Sequence, residues 1–383
     1  MRYTIVTETY PPEVNGVALT VQDLERGLQA RGHDVELVRP RQQRRERAGE
    51  GEVLTAGLRL PLYAGLRFGL PSAARLKRRW RRQRPDAIYI ATEGPLGWSA
   101  MRAAKALGIP VASGFHTRFD HYMRDYGVAW MQPVALAWMR RFHNHAAATL
   151  VPTRELRAEL EGLGVRNPVH LPRAVDTRRF DPARRDEELR ARWGLKPDGL
   201  AVVYVGRMAA EKNLDLAVRA FRALQALRPD ARFVWVGDGP ELAAYRSANP
   251  DFIYCGTRRG DDLARHFASS DLFLFPSLSE TFGNVTIEAM SSGVATVAYR
   301  YGAAAEHLKH GVHGAAIALH DEEAFIDSAC RLSLEQESRQ WMGGNARQAM
   351  QPLRPAQVAA DFDAVLQGIA HSRSHADVHA ALA

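Results

Sequence analysis

Ser279-Glu280-Thr281-Phe282-Gly283-Asn284-Val285-Thr286-Ile287-Glu288-Ala289-Met290 lies between two apolar runs, Leu272 to Phe275 and Val294 to Tyr299. A short apolar run, a polar glycine-bearing turn, a helical segment closed by Gly293 and a second apolar run predict a strand–helix–strand unit of a parallel sheet. The loop leaving the first strand of such a unit faces the ligand crevice, and the free N–H groups of the following helix attract anions, phosphate above all. Glu280 falls in the loop and Glu288 about two turns into the helix, so both reach the crevice at different depths. Beside a bound diphosphate a carboxylate suits hydroxyls better than phosphate oxygens, since it accepts hydrogen bonds strongly and repels anions. Hydroxyls on both sides of a diphosphate describe a sugar nucleotide. The competing reading is a surface loop with two solvated carboxylates.

The rest of the chain bears on that choice. A length of 383 residues exceeds one ordinary core and points to two domains. Apolar residues make up 46% and charged ones 25%, as in a globular protein with two full cores. The longest apolar runs are strand-length, and the first residues lack a cationic leader, so neither a membrane span nor a signal peptide is expected. Cys255 and Cys330 have no metal or redox spacing and fit a reducing compartment, the cytoplasm. Charge is uneven: residues 1–175 carry 27 Lys and Arg against 16 Asp and Glu, whereas residues 176–383 carry 24 against 27. Nucleic acid is disfavoured as the anionic partner because no recognition module accompanies the basic half. An anionic membrane surface is favoured instead, through the apolar stretch Leu60 to Leu70 and the basic run Arg75 to Arg84. A solvated helix face is the alternative.

At this point the glutamate pair, with seven residues between Glu280 and Glu288 and Phe282-Gly283 inside, resembles the E-x7-E signature of the retaining GT-B glycosyltransferases of family GT4. The resemblance implies that Glu280 holds the donor sugar, Glu288 the nucleotide ribose, and backbone amides around Phe282, Gly283, Asn284 and Val285 the diphosphate. It implies a fold of two Rossmann-like, doubly wound parallel-sheet domains facing a central cleft. The acceptor-side domain would span 1–173 and the nucleotide-sugar domain 174–355, with a last helix, about 356–383, crossing back onto the first. The likeness extends over nearly the whole chain, while its specific motifs lie in residues 201–290.

Taken in order, Tyr3 to Glu8 predicts a strand and Val17 to Arg31 a helix closed by Gly32. The loop between them contains Asn15-Gly16, where glycine permits close approach of backbone to ligand; it resembles the GT4 glycine loop that reaches the donor. Without a G-x-G-x-x-G, a dinucleotide cofactor is not expected. Glu93 follows another strand and suits acceptor binding or simple solvation. His116 ends the strand beginning near Pro110, and a histidine there faces ligand rather than core. By resemblance it approaches the donor sugar near its reacting carbon. The aromatic and Met-rich stretch Phe119 to Phe142 reads first as core and second as an acceptor channel.

In the second half, Ala201 to Val205, Arg232 to Val236, Phe252 to Cys255 and Leu272 to Phe275 predict strands of a parallel sheet buried on both faces. The first is followed by Gly206-Arg207-Met208-Ala209-Ala210-Glu211-Lys212-Asn213, which sets two cations at a strand mouth. Arg207 and Lys212 suit a diphosphate, one as a planar fork and the other as a point charge. They resemble the GT4 pair that neutralises the leaving nucleotide. Arg258 falls where the family seats the base, mostly through backbone atoms. Ala174 stands where relatives carry glycine and is tolerated only at negative φ.

No metal is expected: the single D-x-D, Asp361-Phe362-Asp363, lies in a predicted helix where positions i and i+2 face apart. His371, His375 and His379 share a helix face but stand in a polar tail where disorder is the default. The reading is a metal-independent hexosyltransferase without cofactor. Its donor is a GDP- or UDP-linked sugar, GDP-mannose first because the Asn15-Gly16 and Thr281-Phe282-Gly283 loops look like those of lipid mannosyltransferases. Its acceptor is a lipid-linked or polysaccharide hydroxyl. A GT-B-like epimerase and a non-catalytic sugar-nucleotide or membrane-binding module are the rivals.

Overall fold

The computed structural model describes residues 1–13, 16–43, 45–59, 67–116, 132–280 and 282–372. Asn15, Thr281, residues 60–66 of the apolar stretch, the aromatic residues from Phe119 to Met131, His375 and His379 lie outside them. The chain divides into two compact units: residues 1–174 with the segment from Pro355 onward, and Val175–Arg354.

The first unit runs β1 (Arg2–Val6), α1 (Gly16–Ala30), β2 (Asp34–Pro40), β3 (Glu52–Thr55), β4 (Gly57–Arg59), β5 (Arg67–Gly69), α2 (Ala73–Arg82), β6 (Ala87–Ile90), α3 (Pro95–Leu107), β7 (Val111–Gly114), α4 (Gln132–His143), β8 (Ala148–Val151), α5 (Arg154–Gly162) and β9 (Pro168–His170). Seven strands form one sheet in the order β3-β2-β1-β6-β7-β8-β9, every neighbouring pair parallel. Successive side chains point to opposite faces. Tyr3, Ile5, Ala87 and Tyr89 therefore join one apolar cluster, and Val6, Ile88 and Ile90 join another with Trp80 and Leu96. Both faces are covered, so these strands need no strict alternation, and β6, Ala-Ile-Tyr-Ile, reads as an unbroken apolar run. An antiparallel ribbon of β4 and β5 was not expected.

The second unit contains α6 (Glu187–Arg192), β10 (Ala201–Val205), α7 (Leu214–Leu227), β11 (Arg232–Val236), α8 (Leu242–Ala248), β12 (Ile253–Gly256), α9 (Gly260–Ala268), β13 (Leu272–Phe275), α10 (Asn284–Ser291), β14 (Ala295–Tyr299), α11 (Ala303–His307), β15 (Gly314–Ile317), α12 (Glu322–Leu334) and α13 (Gln336–Met350). Its six strands are ordered β12-β11-β10-β13-β14-β15, again all parallel. In each sheet the strand order reverses at the first strand, between β1 and β6 and between β10 and β13. The carboxyl ends of strands at such a reversal are where ligands bind in open α/β sheets. Ala174 is not among the residues at positive φ, as an alanine there requires.

The last helix, α14 (Pro355–His371), belongs to the first unit. It lies so close to α1 that a Cβ on Gly27 would stand 2.4 Å from that of Ala359. Asp363 anchors it, fully buried, accepting from Tyr3 Oη, Arg31 Nε and His33 Nε2, each at 2.9 Å. Burial alone would raise this carboxyl, but the bonds from His33, Arg31, Tyr3 and Gln367 outweigh it and hold it below its usual range. Asp361 faces outward and accepts from Gln357, so the D-x-D carboxylates do point apart. Asp363→Ala strands several donors at once and is expected to cost about 3 kcal/mol of stability, read from the urea midpoint. An unchanged midpoint would contradict the anchor.

Leu76 and Trp80 of α2 are buried while Arg75, Arg78, Arg81 and Arg82 are exposed. On the same helix Arg79 pairs with buried Glu36. In the aromatic stretch Met139 and Phe142 are core, but Trp138 is 54% exposed. Among the described residues no helix is long and apolar enough to cross a membrane.

Candidate active site

The second unit gathers its expected residues at the reversal between β10 and β13. Beyond β10, Gly206 is pressed from the side: a Cβ on Gly237 would meet its carbonyl oxygen at 1.9 Å, so the loop after β11 must carry glycine there. Tyr204 Oη donates to the Arg207 carbonyl at 3.0 Å and props the loop from below. A 3-10 turn, Ala210–Lys212, follows, closed by Asn213 in the left-handed region at φ 52°, which asparagine tolerates. The amide of Leu278 donates to the Glu211 carbonyl at 3.0 Å, stitching the β10 loop to the β13 loop.

That stitch brings Lys212 to Glu280. Lys212 Nζ lies 2.5 Å from Glu280 Oε1, and the same oxygen accepts from Ser277 Oγ at 2.9 Å. Lys212 also approaches the carbonyl of Ser279 at 3.4 Å. Both partners are largely buried, with 13% and 17% of their side chains exposed. Arg207 is paired as well, its Nη2 lying 2.7 Å from Glu211 Oε1, but nearly half of it meets solvent. The two expected phosphate cations are thus already held by carboxylates, a pairing that spacing could not reveal.

One expectation needs correction here. Helix α10 begins at Asn284, so Glu288 stands one turn into it rather than two, because Gly283 at φ 90° cannot belong to a right-handed helix. The Phe282 ring belongs to the core, 4% exposed and packed edge-on against His307, with the Phe282 carbonyl taken by Ala303 N–H. A Cβ on Gly302 would lie 2.5 Å from that carbonyl, which fixes the turn. Asn284 and Val285 remain half-buried at the helix start, where the first N–H groups have no partner within the helix and Gly283 has no side chain to cap them.

Glu288 is enclosed by protein over most of its surface. Burial pushes its carboxyl up to about 7, with Arg179 opposing the shift. Arg258 is exposed and paired with Asp262 at 3.1 Å. Gly16 opens α1 in the first unit, and its carbonyl accepts from Thr20.

His116 follows β7 in the first unit, 9% exposed. Arg173 Nη2 lies 2.8 Å from its Nδ1, and Tyr89 Oη 2.6 Å from its Nε2. Arginine can only donate, so Nδ1 accepts and the ring proton sits on Nε2. Burial, then the charges of Arg173 and His143, hold the imidazole well below its usual range, so it is neutral. Gly114 is required beneath it, since a Cβ there would lie 2.2 Å from Tyr89 Oη. Both ring nitrogens are therefore occupied by protein, and only the carbon edge of His116 is unbonded.

Glu93 is likewise not a solvated loop carboxylate. It pairs with His143 Nε2 at 3.1 Å, whose Nδ1 meets Ser113 Oγ at 2.9 Å, all buried. Glu8 accepts from the Leu96 amide at 2.8 Å, and burial pushes its carboxyl up to about 7. Tyr89, Arg173 and Glu8 were not singled out by sequence; their signal was only their place at strand ends. No cluster of metal-ligating side chains occurs among the described residues.

Residues 14–179 match the model of Glycosyltransferase Family 4, and residues 199–335 that of Glycosyl transferases group 1. The chain is 32% identical over 342 residues to a GDP-mannose-dependent alpha-mannosyltransferase of Corynebacterium glutamicum, covering 88% of this chain and 81% of that protein. The chain belongs to glycosyltransferase family 4. This family 4 hexosyltransferase is also 34% identical over 305 residues to the GDP-mannose-dependent alpha-mannosyltransferase of Mycobacterium tuberculosis, covering 78% of this chain and 79% of that one. Its fold is GT-B. It superposes on the sucrose-phosphate synthase of Thermosynechococcus elongatus with a TM-score of 0.78 at 17% identity, over 96% of this chain and 98% of that one. An Anabaena protein, HepE, solved in complex with UDP, gives 0.76 at 17% identity over 96% and 100%.

Proposed function

We propose that this family 4 enzyme moves a hexose, mannose from GDP-mannose first, from a nucleoside-diphosphate sugar to a hydroxyl of a lipid-linked or polysaccharide acceptor, with retention at the anomeric carbon. The observation that carries the reading is the Lys212–Glu280 junction at the strand reversal of the second unit, beside the uncapped start of α10. Glu280 grips sugar hydroxyls. Lys212, Arg207 and the amides of Gly283, Asn284 and Val285 take the charge of the diphosphate. Glu288 accepts from the ribose, and the loops at Gly206 and Arg258 line the nucleotide. Asn15-Gly16 and the edge of His116 complete contacts to the donor.

The relatives named for GDP-mannose support that donor. In a retaining transfer without an enzymic nucleophile, the acceptor hydroxyl attacks on the face the diphosphate leaves, and a phosphate oxygen takes its proton. The C1–O bond to the diphosphate breaks as the new C1–O bond forms. Since cations of the chain neutralise the leaving group, turnover is expected to persist in EDTA. Purified enzyme given GDP-mannose, UDP-glucose and a cell lipid extract, with and without EDTA, tests this, the new linkage being assigned by NMR. An inverted linkage, or activity restored only by added Mg²⁺ or Mn²⁺, would overturn the mechanism.

We also propose peripheral attachment to an anionic bilayer through the exposed arginines of α2. Each basic residue near the surface contributes about 1 kcal/mol, screened by salt. Co-sedimentation with anionic vesicles at low salt, lost at high salt and absent with neutral vesicles, is the expected result. Equal recovery from both vesicle types would refute it.

A further inference from the structure

Arg173 carries a charge that the first unit does not balance from its own described residues. Its side chain is 7% exposed and only Nη2 has a bonding partner, Nδ1 of His116. Nε and Nη1 are buried with no hydrogen-bond partner. Nε carries one N–H and Nη1 two, so most of the five donors of the guanidinium are unused. The buried carboxylate of Glu93 is committed to His143. Burial lowers the guanidinium to about 10, with the Tyr89 phenol opposing, so it remains cationic at neutral pH. A buried cation with unmet donors destabilises the fold that holds it. Such a cost persists where a ligand offsets it, and Arg173, three residues past the outermost strand β9, reaches inward to His116 beyond β7, on the carboxyl side of the strands where ligands bind.

We propose that Arg173, oriented by the neutral His116, is a binding site for one oxyanion, phosphate or carboxylate, borne by the acceptor. Both groups match the donor geometry of a guanidinium: Nη2 gives one N–H to Nδ1 of His116 and keeps a second, which with the unpartnered Nε or Nη1 makes a planar fork for one oxyanion. Assigning the anion to the acceptor rests on the transferase reading; the anion site itself does not.

The test is NMR of the full chain labelled with ¹⁵N-arginine and ¹⁵N-histidine, titrated with inorganic phosphate and, separately, with acetate. The expected result is a saturable shift of the Arg173 Nε and His116 Nδ1 signals with one of the two anions, which identifies the class. Arg173→Lys keeps the charge without the planar fork, and its affinity for that anion should fall roughly tenfold. In Arg173→Gln the His116 response should vanish while GDP binding is unchanged, reporting an intact second unit. If that variant does not fold, the wild-type titration and Arg173→Lys carry the test. No shift with either anion, or the same His116 shift in Arg173→Gln, overturns the site. In transfer assays the acceptor KM should rise in Arg173→Lys while the donor KM stays constant. A saturable shift with no transfer to any acceptor would leave the anion site standing and remove the transferase reading.

Discussion

Lys212→Ala is expected to lower turnover by about 10²-fold or more, the usual cost of deleting a contact to charge that grows in the transition state. Two consequences of the geometry add together. The ammonium would neutralise the leaving diphosphate, and it also holds Glu280 Oε1 at 2.5 Å, so its loss frees the carboxylate that grips the sugar. Ser277, at 2.9 Å from the same oxygen, is too weak an anchor to hold it alone. Arg207→Ala should be milder, because Arg207 is nearly half exposed and tied to Glu211. The rates are to be compared between purified variants whose thermal melts match the parent chain. Wild-type turnover in folded Lys212→Ala would overturn the assignment, and a larger loss in Arg207→Ala would reverse the ranking.

Three of the six parallel strands of the second unit were legible to the residue because they are buried on both faces. β10, β11 and β13 coincide with the apolar runs Ala201 to Val205, Arg232 to Val236 and Leu272 to Phe275. Such strands need no alternation, and the glycine turns behind them mark their ends. β15, with the sequence Gly-Ala-Ala-Ile, was missed since small residues produce no apolar signal, and its pairing with β14 is what makes it a strand. The loops that carry Lys212 and Glu280 could be placed at one sheet edge, yet their contact could not, because 67 residues intervene and no periodicity encodes it. His116 illustrates the same limit. Its position after a strand was readable, but its partners come from Tyr89 on β6 and Arg173 after β9, and they decide that the ring is neutral and doubly bonded. Phe282 stands inside a motif defined by spacing, and only the packing of α11 beneath it shows that its ring serves the core.

Nucleotide binding is expected to strengthen as pH rises toward about 7 and then level off, with Glu288 as the cause. Burial pushes this carboxyl up to about 7, so in the ligand-free chain it is mostly protonated below that pH. Ribose hydroxyls donating to the carboxylate favour its ionised form, so binding lowers the pKa and releases a proton. Affinity for GDP or UDP should then fall by up to about tenfold per pH unit below 7, one unit being worth 1.36 kcal/mol. Glu288→Gln keeps a neutral acceptor and should flatten the profile; the nucleotide's own terminal phosphate, with a pKa near 6, sets the slope that remains. Stability should move the other way. A carboxyl whose pKa is raised on folding contributes stability that is fully present below its unfolded value and is lost as pH climbs through the folded one, and Glu8 shares this behaviour. The apo chain should therefore become less stable between about pH 4.5 and 7 with respect to these two groups, while its nucleotide complex tightens across the same window. Calorimetric titration of GDP from pH 5.5 to 8, on the parent chain and on Glu288→Gln, reads the two slopes. Identical slopes in both proteins would remove Glu288 from the ribose.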